Sequence, residues 1–124
     1  MTADRFAEFL RAVATSDAGE SFATAYIVAA FETHDDAARI VIDTKSKTVD
    51  GAWFSVHLND ADAPPAEVTF SGHSQTFDRV LRGDLGIMMA LTTRKITAEG
   101  TSRGSVPRAM RLVPAFERSL PLYR

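Results

Sequence analysis

The chain has 124 residues, 45% of them hydrophobic, no cysteine and a net charge of −2. That length fits one domain able to bury a core without covalent staples, and the lack of cysteine excludes disulfides, thiolate metal sites and cysteine nucleophiles. The near-balance of charge argues against an electrostatic nucleic-acid binder.

Charge is unevenly spread. Residues 101 to 124 carry five arginines (Arg103, Arg108, Arg111, Arg118, Arg124) against Glu117, a net +4, which leaves −6 for residues 1 to 100. A solvated helix face accounts for such a tail, and contact with an anionic membrane is the alternative. The amino terminus MTADRFAEFL has charges among its apolar residues, unlike a signal peptide. The longest apolar run, AYIVAAF from Ala25 to Phe31, is far below the roughly 20 residues that span a bilayer. These features read as a soluble, cytoplasmic protein.

Phe6, Phe9, Leu10 and Val13 recur at helical spacing, predicting a first amphipathic helix with Thr2 as its cap and an end near Ser16. Glu20 to Glu32 has four alanines and a roughly helical set of Phe22, Tyr26, Ile27, Ala30 and Phe31. A helix is the expectation there, with AYIVAAF as a buried strand the competing reading. From Ala38 the period becomes two: Ile40, Ile42 and Thr44 alternate with Arg39, Val41 and Asp43. After a Lys45–Lys47 turn, Phe54, Val56 and Leu58 alternate with Trp53, Ser55 and His57, predicting a hairpin.

Asn59 to Pro65 reads as a loop, Ala66 to Phe70 as a third strand, and Ser71 to Ser74 as the approach to a helix carrying Phe77, Val80 and Leu81 and ended by Gly83. The stretch DLGIMMALTT then predicts a helix that is apolar on two sides: Leu85, Met88, Met89 and Thr92 on one, Ile87, Ala90 and Leu91 on the other. Its second apolar side needs a partner. Lys95 to Glu99 follows as a strand, and a last helix starts near Ser105, with Pro107 in its first turn and Pro114 expected to kink or stop it.

No reaction centre stands out. His34 sits in THDDA, a polar hairpin loop; His57 shares a strand face with Trp53 and Ser55; His73 lies in FSGHS, which is not G-x-S-x-G and reads as helix-capping chemistry. Gly83, Gly86 and Gly100 are too dispersed for a phosphate cradle, and Asp60 and Asp62 fall in a proline-bearing loop where solvation explains them. Met88 and Met89 are flexible, polarizable side chains that suit either core filling or an adaptable ligand wall.

From Arg39 to Leu112 the ordered elements are the hairpin ARIVIDTKSKTVDGAWFSVHL, the strand AEVTF, the helix TFDRVLRG, the stretch DLGIMMALTTRKITAEG and the apolar helix AMRLVPAF. This order resembles the sterol carrier protein family, the non-specific lipid-transfer proteins. In that family a D-L/P-x-x-A-x-x-x-G-K-[LI]-x-x-x-G type segment leads from a helix into an inner strand. Asp84, Leu85, Ala90, Lys95, Ile96 and Gly100 fit it, while Arg94 stands where the family usually has glycine, which leaves the backbone of that turn open. The first 36 residues and the tail after Phe116 match poorly.

The resemblance implies one α+β domain over residues 1–124: a mixed sheet of about five strands covered on one face by helices, with an apolar tunnel between the layers. It implies no catalysis, no cofactor and no metal, and a ligand that is a sterol, fatty acid, acyl-CoA, phospholipid or other long apolar molecule. Carried over by position, the lining would be Phe77, Leu81, Leu85, Met88, Met89, Ile96, Met110 and Phe116, with Phe54 and Val56 completing the wall from the sheet. The partners expected are such a lipid and an anionic membrane touched by the basic C-terminal segment, with no nucleic acid. Two rival readings are a non-catalytic accessory or scaffold module partnering an enzyme of lipid or isoprenoid-quinone metabolism, and a small enzyme using His57 at the pocket mouth.

Overall fold

The computed structural model describes residues 3–46, 48 and 51–123. Thr2, Lys47 and Arg124, named above as a cap, part of a turn and part of the basic tail, lie outside the described residues. The elements run α1 (Ala3–Ala14), α2 (Gly19–Ala23), β1 (Val28–Thr33), β2 (Ala38–Asp43), β3 (Ser55–Leu58), β4 (Val68–Gly72), α3 (Ser74–Leu81), α4 (Ile87–Thr92), β5 (Ile96–Gly100), α5 (Ser105–Ala109) and α6 (Leu112–Ser119), closed by a 3-10 turn at Leu120–Tyr123.

The sheet order is β3-β2-β1-β4-β5. β1 pairs β2 antiparallel and β4 parallel, while β2–β3 and β4–β5 are antiparallel, so the sheet is mixed. The parallel β1–β4 pair requires a crossover. β2, β3 and the 59–67 loop supply it.

Why residues 28–33 form a strand follows from this position. β1 is the central strand, and both its faces are covered: Ala29 and Phe31 belong to the main core, Val28 and Ala30 to a smaller cluster with Val41, against which Ala63 and Ala66 pack. A strand buried on both faces reads as a continuous apolar run rather than an alternation. The helix expected over residues 20–32 is therefore confined to Gly19–Ala23, and the chain changes direction at Tyr26, which has φ +48.

The main core lies between the other sheet face and the helices. Phe6, Phe9, Leu10 and Val13 of α1, Phe22 of α2, Phe77, Val80 and Leu81 of α3, and Leu112, Ala115 and Phe116 of α6 are all buried there. Each such large apolar side chain contributes roughly 1.5–3 kcal/mol when fully withdrawn from water. Aromatic rings knit the layers: Phe31 lies 5.4 Å from Phe6, 5.6 Å from Phe70 and 5.6 Å from Phe116.

Several boundaries move from the sequence expectation. β3 begins at Ser55 and β4 runs Val68–Gly72. Pro114 neither kinks nor stops a helix, because the chain breaks earlier, at Met110–Arg111, and Pro114 falls in the first turn of α6, where its missing N–H would have had no partner within the helix. Two close approaches fix the right-hand edge of the sheet: a Cβ on Gly72 would meet the Lys95 carbonyl oxygen at 2.8 Å, and one on Gly100 would meet the Ser105 Cβ at 2.8 Å.

Candidate functional site

Between the sheet and the helices is a wholly apolar cavity of about 50 Å³, lined by Phe6, Phe31, Phe70, Phe77, Val80, Leu81, Ile87, Leu91, Ile96, Ala109, Leu112, Val113 and Phe116. The lining comes from α1, three strands and α3 to α6. No polar group enters it, so nothing in it could orient a reaction, and what it can recognise is shape and apolar surface. Its volume is well below the roughly 300–1,000 Å³ of ligand pockets.

Four residues named from the sequence line this cavity: Phe77, Leu81, Ile96 and Phe116. Met88 and Met110 line a neighbouring surface groove of about 390 Å³ between α4, β5 and α5, together with Leu91, Arg94, Ile96, Thr97, Ala98 and Val106. Leu85 packs half-buried against the core, and Phe54 and Val56 border a separate groove beside Arg11 and Thr48. Met88 and Met89 are 53% and 57% exposed. The α4 side that meets the cavity is Ile87 and Leu91, with Ala90 fully buried between them.

The second apolar side of α4 thus faces outward, into the groove at Met88 and into solvent at Met89. Local spacing had separated the two sides of the helix correctly, yet nothing local says which of two apolar sides turns inward. Phe6, Phe31 and Phe70 were missed because they converge from three distant elements. No short-range pattern encodes that convergence.

A small set of polar ties closes the helical layer. The Tyr123 hydroxyl donates to Asp78 Oδ1 at 2.8 Å, Arg82 Nε pairs with Asp78 Oδ2 at 2.9 Å, and Arg5 donates to the Tyr123 carbonyl oxygen at 3.2 Å. Burial opposes ionisation of Asp78, but the Tyr123 and Arg82 bonds outweigh it and hold its carboxyl below the usual value. Burial, followed by Asp78, pushes the Tyr123 phenol up to about 12. On the other side Glu67 accepts from the Val28 amide at 3.0 Å and from Lys45 at 2.9 Å, and lies 3.6 Å from Arg108.

His57 has more company than the sequence indicated. Its Nε2 lies 3.0 Å from Ser55 Oγ and its Nδ1 3.1 Å from Asp60 Oδ2, the connectivity of a serine–histidine–aspartate relay. These three groups sit within six residues at the β3 edge of the sheet. Phe54, Val56 and Leu58 pack on the core, while His57 pairs in register with Val41 of the second cluster, so the alternation of the strand places the relay on the face away from the cavity. Asp60 is exposed, its pKa lowered by the Asp62 amide and by His57. Among the described residues, no group of three or more metal-ligating side chains is gathered, and no helix is long and apolar enough to cross a membrane.

No family model and no curated protein matches the sequence. Solved structures do match. The sterol carrier protein domain 2 of Helicoverpa armigera superposes with a TM-score of 0.69 at 18% identity, over 94% of this chain and 86% of that one. The fold is that of the sterol carrier proteins. The same architecture appears in the ubiquinone synthesis protein UbiJ-SCP2, with a TM-score of 0.58 at 11% identity over 86% of this chain and 84% of that one. It also forms part of the stereoselective inverting sec-alkylsulfatase Pisa1 from Pseudomonas sp., with a TM-score of 0.56 at 14% identity. That match covers 80% of this chain but only 14% of the sulfatase, so this chain spans about one-seventh of that enzyme. The α+β fold expected from the sequence, a mixed five-stranded sheet with helices on one face, is the fold observed.

Proposed function

We propose that this protein binds a lipid or another long apolar molecule between its sheet and its helices, as a carrier without catalytic activity. The observation that carries this reading is the wholly apolar cavity bounded on one side by the short helices α4 and α5 in a sterol carrier fold. Because about 50 Å³ is far below the volume of pockets that hold lipid-length ligands, binding a chain of lipid length requires α4 and α5 to move outward from β5. The gain is roughly 0.8 kcal/mol per buried methylene, less the costs of association and of opening the layer. Specificity is then broad, set by apolar area rather than by a polar code. Phe77, Leu81, Ile96 and Phe116 would contact the buried chain, Met88 and Met110 its exit; Phe54 and Val56 join only if the layer opens as far as β3.

The test is titration with a neutral fluorescent apolar probe, 1,6-diphenylhexatriene, followed by displacement with fatty acids and sterols. Micromolar-range binding with displacement supports the reading; no signal at saturating probe ends it. A second reading, an accessory module for an enzyme of lipid or isoprenoid-quinone metabolism, draws on the fold shared with a ubiquinone synthesis protein and with part of a sulfatase. It predicts a stable complex with such an enzyme and no lipid in native mass spectra. Membrane contact through the C-terminal arginines has a smaller base than their number implies. All four described arginines are exposed, but Arg108 lies 3.6 Å from Glu67 and Arg118 donates to Ser21 Oγ at 3.3 Å, so among the described residues Arg103 and Arg111 are the two not drawn to another side chain.

A further inference from the structure

Three spaces lie in sequence along the α4–β5 side of the molecule. Leu91 and Ile96 line both the buried cavity and the apolar surface groove, forming the wall between them. Arg94 and Thr97 line both that groove and a third space, a polar cleft of about 530 Å³ at the end of the sheet, bordered by His34, His73, Arg79 and Lys95. The cleft takes its cations from two places, Arg79 from α3 and Arg94 and Lys95 from the turn before β5, while the two histidines come from the β1–β2 turn and the approach to α3.

No carboxylate lines that cleft. Asp35, next in the chain to His34 of the lining, has its oxygens on the Ser74 amide and hydroxyl, at 2.9 and 2.5 Å. Arg79, Arg94 and Lys95 make no ion pair among the described residues, although Arg39, Lys45, Arg82 and Arg108 do. Three unpaired cations converging on one concave space repel one another, and an anion placed among them relieves that repulsion. Arg94 adds a second oddity. Its φ is +58, a backbone region that glycine enters freely and a long side chain does not. The residue is held there on the lining that the groove and the basic cleft share.

We infer that the cleft formed by Arg79, Arg94 and Lys95 holds the phosphate-bearing headgroup of an amphiphile whose chain lies in the groove and enters the cavity past Leu91 and Ile96. This rests on the binding reading above and narrows it, from any long apolar molecule to an anionic, phosphate-bearing lipid. Arginine suits the task because its fork of donors matches phosphate oxygens two at a time.

The experiment compares tetradecyl phosphate with tetradecanol as displacers of diphenylhexatriene, in wild type, Arg94→Gly and the double variant Arg79→Gln/Lys95→Gln. Arg94→Gly places glycine where φ is already positive, so it keeps the fold, and an unchanged melting temperature verifies that. The expected result is that wild type prefers the phosphate by about tenfold or more, that both variants lose most of that preference, and that tetradecanol binds wild type and Arg79→Gln/Lys95→Gln alike. Inorganic phosphate at millimolar concentration should not displace tetradecyl phosphate; if it does so with comparable affinity per phosphate, the cleft is a free-phosphate site and the lipid assignment is overturned. Equal binding of phosphate and alcohol to wild type, or a preference that survives in both variants, overturns the headgroup site while leaving lipid binding intact. Failure of both displacers and of the probe itself overturns the underlying reading.

Discussion

Leu91 is the residue on which the route into the cavity turns, since it lines both the buried space and the groove outside it. Replacing it with glutamate separates binding from folding. The side chain is half-buried, so the lost burial is about half of the roughly 1.5–3 kcal/mol for a fully buried leucine, or about 1 kcal/mol. The new carboxylate can turn into the open groove beside Arg94 and stay hydrated, so it avoids the larger penalty of an unpaired buried charge. For a domain of this size about 1 kcal/mol lowers the melting temperature by about 3–5 °C, leaving a cooperative transition. Binding suffers more. An acyl chain passing this wall must lie against a charge or drive it out, at about 1.4–3 kcal/mol, which is a tenfold to hundredfold loss of affinity. Leu91→Met, close to leucine in volume, should bind as wild type. Calorimetry and diphenylhexatriene titration read the two quantities independently. A folded Leu91→Glu that binds the probe as tightly as wild type would refute this wall as the entrance.

Three further outcomes are expected. Because Asp78 is depressed in the folded state, its contribution is present above the ordinary carboxylate value and is lost as pH falls through its folded value; Asp78→Asn should therefore flatten the acid limb of a stability curve below about pH 4. The same variant should release Tyr123, whose raised value contributes stability below pH 10 that disappears toward pH 12, so its alkaline transition should move down in an absorbance titration. The Ser55–His57–Asp60 relay lies on the face away from the cavity, and a serine-directed fluorophosphonate should leave Ser55 unlabelled; stoichiometric labelling abolished by His57→Ala would replace the carrier reading with a hydrolase.

Much of the fold was legible because it rests on local periodicity. The α1 stripe, the period-two run of β2, the Phe77–Leu81 helix stopped by Gly83 at φ +82 and the apolar Ile87–Ala90–Leu91 side are all written within a few residues of each element. The central strand was harder to read, because burial on both faces erases alternation and leaves AYIVAAF equally consistent with a helix. The site divides in the same way. Phe77, Leu81, Ile96 and Phe116 sit on elements whose inward face was evident. Met88 and Met89 sit on a helix with two apolar faces, where tertiary packing alone selects one. Arg94 was visible as a departure from glycine, but its position between groove and cleft required the turn to be seen folded.

The same packing says which part of the wall gives way. β1 and β2 are held by hydrogen-bonded neighbours on both sides, and α1 buries six residues. α4 is six residues long, buries Ala90 alone and turns Met88 and Met89 outward, with no side-chain cap on its first turn. A short helix with one fully buried residue has little to lose on opening locally, so its amides should exchange through sub-global fluctuations well below the global unfolding energy. If α4 is the gate, an apolar ligand that fills the space beneath it adds contacts to Ile87 and Leu91 and slows that exchange. Amide hydrogen exchange read by mass spectrometry should show α4 and the Thr93–Lys95 turn protected on adding tetradecanol, with β1 and β2 unchanged. Protection confined to α1 and β3, with α4 indifferent to ligand, would move the opening to the other end of the helical layer, where Phe54 and Val56 border the second groove.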